Sequence, residues 1–166
     1  MSLMILDKGA IAPLVMALMA DYAVIGPQAK GPQFAFGPLT DPAQLRLDYN
    51  TTILPPKKAL QPQQERLAAF NRRDHAVEPI IEAGPTVLFG IHTCDLHALR
   101  LLDKAFSQDY PDAHYLTRRR QTVVISMECL EPCDEHSFCK SMETLTASEG
   151  YDLHLTDLGA SYAVDV

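Results

Sequence analysis

The sequence predicts an α/β domain with a mainly parallel sheet, and three observations predict it. Two continuous apolar runs of strand length, Thr86-Val87-Leu88-Phe89-Gly90-Ile91 and Thr122-Val123-Val124-Ile125-Ser126-Met127, have the character of strands buried on both faces. Between them lies a stretch of helical periodicity, so the unit is strand, crossover, strand, which is right-handed with parallel strands. Each run leads into a cysteine, Cys94 and Cys129. Both thiols therefore fall at one edge of the sheet, beyond the strand carboxyl ends, where open α/β sheets keep their ligands.

The remaining elements follow in order. Met1-Ser2-Leu3 is set aside as an expression scar, leaving residues 4–166 as one α/β domain. Ile11, Leu14, Val15, Leu18 and Met19 recur at helical spacing behind Asp7, a capping residue, and predict a helix of about three turns. Residues 22–25 read as a short strand closed by Gly26-Pro27. Residues 28–62, rich in Pro and Gly, read as short strands and turns, with apolar runs at 34–36, 45–47 and 52–54. Residues 63–71, which include Glu65, Arg66, Leu67, Ala68 and Ala69, predict a helix.

Asp95 is the expected cap of a helix running to about Phe106, with Leu99, Leu102 and Phe106 on its buried stripe and Arg100 and Lys104 toward solvent. A short helix is expected from Pro111 through Arg119. The run Arg118-Arg119-Arg120 reads as a solvated turn with one arginine in a salt bridge. Residues 152–156 and 161–166 flank Leu158-Gly159 as a terminal β-hairpin. The chain ends while the strand pattern continues, so these residues are expected to be part of something longer.

Composition limits the function classes. With 47% apolar and 21% charged residues, 166 residues can bury a core, and 14 Lys plus Arg against 21 Asp plus Glu leave a formal charge of −7. An acidic chain is a poor default partner for nucleic acid or anionic membranes. No apolar run approaches the roughly 18 to 20 residues of a membrane span, and residues 11–20 are interrupted by Pro13. Asp7 and the lack of a basic leader speak against a secretory signal, so a cytoplasmic location is expected. There thiols stay reduced, and four clustered cysteines point to ligands more than disulfides.

The cysteines follow the pattern Cys94-x34-Cys129-x3-Cys133-x5-Cys139. Four thiolates suit either an iron-sulfur cluster or zinc, because both prefer sulfur and accept four such ligands. Structural zinc sites generally use two close pairs, whereas here only Cys129 and Cys133 form one and Cys94 comes alone from another strand. Three ligands from one loop and one from afar is a cluster arrangement. Zinc and unligated redox thiols stay open as alternatives. His92, His97 and His136 lie near the cysteines as candidate donors to a cluster sulfur or substitute ligands, weighed against plain polar histidines. Asp95 and Asp103 are expected to be a helix cap and a surface charge. A Cys94 nucleophile at a helix amino terminus, with His92 and His97 nearby, is the competing thiol-reductase reading and predicts an exposed thiol of low pKa. No glycine-rich phosphate loop is present.

Gly90-Ile91-His92-Thr93-Cys94-Asp95-Leu96-His97-Ala98-Leu99, Leu102-Asp103, Tyr115 with Arg118-Arg119, the Cys129 to Cys139 loop followed by Lys140-Ser141-Met142, and Leu155-Thr156-Asp157-Leu158-Gly159 with Tyr162-Ala163-Val164-Asp165 carry a resemblance. In these segments, which span most of the chain after about Leu54, the sequence resembles the beta subunits of sulfhydrogenase-type NiFe hydrogenases and the related iron-sulfur subunits of anaerobic sulfite reductases. The resemblance implies an oxidoreductase electron-transfer subunit in which Cys94, Cys129, Cys133 and Cys139 hold the iron of a 4Fe-4S cluster. It also implies partners: a catalytic subunit, a second subunit that binds flavin and nicotinamide, and a following ferredoxin-like domain with two further 4Fe-4S clusters, which these 166 residues do not contain. The chain departs from the family at Ser137-Phe138-Cys139, where relatives commonly show Cys-Phe-Cys, so Cys133 is the substitute thiolate. A subunit-docking domain with a zinc-bound or metal-free cysteine loop is the alternative function.

Overall fold

The computed structural model describes residues 3–166. Its centre is a seven-stranded sheet of order β1-β9-β8-β7-β6-β2-β3. The strands are β1 (Leu3–Asp7), β2 (Ala23–Lys30), β3 (Gln33–Pro38), β6 (Thr86–His92), β7 (Thr122–Met127), β8 (Leu153–Asp157) and β9 (Ser161–Asp165). β2, β6, β7 and β8 are parallel, and antiparallel pairing of β2 with β3, β8 with β9 and β9 with β1 closes both flanks. The α/β class, the parallel β6-β7 unit and the terminal β8-β9 hairpin agree with the sequence reading.

The alternation of side chains along β6 and β7 splits the core into two layers. On one face, Val87, Phe89, Ile125 and Met127 pack with Val15 of helix α1 (Ile11–Leu18). On the other, Leu88, Ile91 and Val124 pack under Leu96 and Leu99 of α2 (Thr93–Ser107) and Tyr115 of α3 (Ala113–Arg120). Phe89 and Ile91 are two residues apart and would share a face in a regular strand. They lie on opposite faces because the β6-β7 register slips between them, at Gly90, whose φ is +76°. That φ favours glycine, and a side chain there would begin 2.6 Å from Leu47 Cδ2, which would have to turn aside. The bulge re-aims the end of β6, from which Cys94 follows.

Several sequence expectations are corrected. Asp7 accepts from the Gly9 N–H at 2.7 Å and caps a 3-10 turn, Lys8–Ala10, ahead of α1, which is about two turns long instead of three. Leu3, set aside as part of a scar, and Met4 pair with Asp165 and Val164. Gly26-Pro27 does not end β2. Pairing of β2 with β6 stops at Ile25, and the Pro27 carbonyl accepts from the Arg46 N–H at 2.9 Å on that side, so the imide nitrogen faces away from β3 and breaks no ladder bond.

Residues 63–71 are not a helix. Ala68–Phe70 (β4) pairs with Val77–Pro79 (β5) in a separate hairpin. The Asn71 N–H donates to the Ala76 carbonyl, and the carboxamide of Asn71 and carboxylate of Asp74 accept from the amides of Arg73 and Ala76 inside the turn. α3 then clamps both ends: His114 Nε2 lies 3.1 Å from the Leu67 and Ile80 carbonyl oxygens, while Arg118 donates to the Leu60 and Glu82 carbonyls and pairs with Glu65. These fixed partners outweigh a weak helical propensity. Arg118 is thus buried in a helix and no part of a solvated turn, and Arg119 also forms an ion pair, with Asp103 at 3.0 Å. Asp103, expected as a surface charge, additionally accepts from Tyr115 Oη at 2.6 Å.

Candidate metal centre

β6 ends at His92 and α2 begins at Thr93 with no intervening loop, so Cys94 lies within the first helical turn. The residue before the helix is His92, in extended conformation; Asp95 lies inside the helix and is not its cap. Its carboxyl is pushed up by burial, partly offset by Lys57. β7 ends at Met127 beside it in parallel register, His92 opposite Met127, which delivers Cys129 to the same edge. The loop that follows, before β8, carries Cys133 and Cys139.

All four thiols line one cavity of about 230 Å³, whose other walls include Leu130, Pro132 and Leu145. The thiols are free and each is half-buried. Burial is the largest influence on Cys94, whose pKa is pushed up to about 12, with Asp95, Cys129 and Cys139 adding repulsion. Cys133 is raised as well, first by burial and then by Cys129 and Cys139. Cys94 is thereby held as a thiol, which argues against a Cys94 thiolate nucleophile despite its place at a helix amino terminus.

The loop is tied down locally. Thr93 Oγ1 lies 3.3 Å from Cys129 Sγ and 2.9 Å from the Leu145 carbonyl oxygen. Cys133 Sγ donates to the Asn50 carbonyl at 3.2 Å, and the Cys139 carbonyl accepts from the Thr144 amide at 2.9 Å. The three histidines singled out from sequence stand apart from the cysteine cavity. His92 stacks on Tyr49 and lines a neighbouring cavity of about 400 Å³, which it shares with Cys129 and Cys133. Burial depresses its pKa to about 4, so the ring is neutral. His97 Nε2 is 2.9 Å from the Thr146 carbonyl oxygen, and His136 is exposed beside Glu135.

A fourth histidine, which sequence reasoning did not consider, is more deeply built in. His154 on β8 is buried, with Nδ1 at 2.7 Å from Ser126 Oγ and Nε2 at 2.7 Å from Glu128. The order is reversed from a hydrolytic triad, in which the serine faces Nε2 and the acid Nδ1, and Ser126 is fully buried. The network is structural: it fixes Glu128 and hence the backbone entering Cys129. A serine inside the apolar run 122–127 and a histidine in an alternating strand were the available signals.

Among the described residues no three His, Cys, Asp or Glu side chains are arranged to hold one metal ion. Four cysteine sulfurs on one cavity are a donor set that an iron-sulfur group or zinc accepts, and Glu131, Ser137 and Lys140 line the same cavity beside them. No helix among the described residues is long and apolar enough to cross a membrane.

Comparison with known proteins finds a relative. The chain is 36% identical over 143 residues to Sulfhydrogenase 2 subunit beta of Pyrococcus furiosus, a match covering 86% of this chain and 42% of that protein. This chain thus spans less than half the length of the relative it matches. No family model matches it, and no solved structure matches it.

Proposed function

The chain is a relative of the sulfhydrogenase beta subunits, and from that premise we propose that it is the cysteine-bearing electron-transfer domain of a hydrogenase-type or sulfur- or sulfite-reducing complex. Its ligands are Cys94, Cys129, Cys133 and Cys139, and the group they hold is a 4Fe-4S cluster. The observation that carries the reading is the gathering of these four thiols, from two strand ends and one loop, onto a single cavity.

When bound, such a cluster supplies one-electron transfer at a potential set by its surroundings. The rest is the work of the chain. β6 and β7 fix Cys94 and Cys129 on rigid elements, and the Gly90 bulge aims the first of them. Leu130, Pro132 and Leu145 give the cavity apolar surface, and Leu145 is the partly buried one of the three. Among the described residues no general base hydrogen-bonds a cysteine, as suits a centre that passes electrons and leaves bond-making to a partner. Those partners are a catalytic subunit and one that binds flavin and nicotinamide, in the cytoplasm.

Anaerobic reconstitution with iron and sulfide, followed by iron, sulfide and zinc analysis and spectra before and after dithionite, tests the proposal. About four irons and four sulfides per chain with bleachable charge-transfer absorbance are expected. One zinc per chain, or no metal after reconstitution, would overturn it and leave a subunit-docking domain.

A further inference from the structure

Thr93 is 1% exposed and lies between the end of β6 and Cys94, yet its hydroxyl is directed at neither the strand ladder nor a helix carbonyl. It lies between two acceptors from the cysteine loop, Cys129 Sγ at 3.3 Å and the Leu145 carbonyl at 2.9 Å. A hydroxyl has one proton to give. A neutral thiol is a weak acceptor, so in the metal-free chain the shorter contact to Leu145 is the better recipient. A metal-bound thiolate is different: it carries charge, and charge-assisted hydrogen bonds are roughly twice as strong as neutral ones.

We propose that Thr93 tunes the potential of the cluster through a hydrogen bond from its hydroxyl to Cys129 Sγ. The inference rests on the cluster reading and adds to it a residue that is not a ligand. Reduction adds negative charge that is shared by the ligand sulfurs, so a donor at Cys129 favours the reduced state and raises the potential. Burial of Thr93 strengthens the effect, because no water competes for its hydroxyl. The proton stays on Oγ1 throughout. The electron comes from an external one-electron donor, and no bond is made or broken. Thr93 is a positioning and tuning residue and touches no reacting substrate.

The test uses the full chain, reconstituted anaerobically, as the parent and as Thr93→Val, Thr93→Ala and Thr93→Ser. Valine keeps the shape and removes the hydroxyl, alanine removes it with less bulk, and serine restores it. Iron and sulfide are measured first, then the midpoint potential by optical titration with mediators. The expected result is equal iron in all four proteins, a lower midpoint in the valine and alanine variants, and a midpoint near the parent's in the serine variant. An unchanged midpoint in iron-loaded Thr93→Val overturns the inference while leaving the cluster reading intact. Loss of iron from both hydroxyl-free variants, with native circular dichroism, also overturns it, because Thr93 would then hold the loop and not set the potential. A parent chain that takes up no iron defeats the cluster reading itself, and this inference with it.

Discussion

The hydroxyl of Tyr49 donates to the carbonyl of Gly90 across 2.8 Å, while the tyrosine ring lies flat on His92, with centroids 4.1 Å apart and planes 4° from parallel. A residue from the irregular segment before the hairpin thus grips the β6 bulge at two points, immediately ahead of Cys94. Burial pushes the Tyr49 pKa up, so its hydroxyl remains a donor. Both contacts depend on Gly90 keeping its left-handed backbone.

Replacement of Gly90 by alanine is therefore expected to destabilise the fold. The strain of a side chain at φ +76° is on the order of 1–3 kcal/mol and the tip of Leu47 can turn aside at little cost, so a loss of about 2 kcal/mol is expected. In a domain of this size that lowers Tm by roughly 4–8 °C. Gly84→Ala is the control: its added methyl meets nothing within 4 Å and should leave the melt near the parent's. A Gly90→Ala protein melting with the parent would refute the constraint.

The strand-crossover-strand unit and the common edge for Cys94 and Cys129 were legible because long apolar runs and helical periodicity are local signals, and handedness does the rest. The bulge was not, since Gly90 sits inside a run that reads as an unbroken strand. The β4-β5 hairpin was misread for another reason. Ala68 and Ala69 are good helix formers, and what overrides them is Arg118 and His114, some fifty residues away, which no local window contains. β1 was missed because its first residue was set aside with the start of the chain, and Leu3 to Leu6 form an unbroken apolar run with no alternation to read. Ser126, Glu128 and His154 form one network only after β7 and β8 pair.

Removal of the Arg118 guanidinium should show what holds the hairpin. Arg118→Met leaves the Glu65 carboxylate and the Leu60 and Glu82 carbonyls without their donor, and breaking one side of such a buried pair costs about 3–5 kcal/mol. Because Glu65 keeps some access to water, the lower end is expected. Hydrogen exchange in residues 68–79 should accelerate more than in β6 and β7. The exposed neighbour supplies the comparison: Arg120→Met should change stability by no more than about 0.5 kcal/mol.

Acid sensitivity has a traceable source in the pair that joins the start of the chain to β8. Lys8 Nζ bonds Asp157 at 2.7 Å, and this bond, helped by the Gly159 amide, holds the Asp157 carboxyl below its ordinary value of 3.8. The unfolded chain then binds the proton more readily than the folded one, so the contribution of Asp157 is present above the unfolded pKa and is lost as pH falls through the folded one. Asp157→Asn should destabilise the protein at neutral pH, with the difference from the parent closing as pH drops below about 4. Parallel denaturant titrations of the two proteins read this directly, and a gap that persists at the acid end would exclude Asp157 as the titrating group.

Cys133 is the ligand for which sequence and structure make different demands. In the resemblance it substitutes for a thiolate that stands at position 137 in relatives, where this chain has serine. In the structure its thiol donates to the Asn50 carbonyl, a bond that a thiolate cannot make, so ligation requires Cys133 to give up Asn50. Its side chain nevertheless lines the same cavity as the other three cysteines, whereas Ser137 there can offer only a hydroxyl, a poor match for iron that prefers sulfur. Cys133→Ala should therefore lower iron and sulfide uptake to the level of Cys94→Ala, and Ser137→Ala should not. Restoring a thiol four residues along the loop, as Cys133→Ala with Ser137→Cys, should recover uptake. If Cys133→Ala instead loads as fully as the parent, the fourth ligand is not Cys133, and the cluster is held by Cys94, Cys129 and Cys139 with a donor from outside this loop.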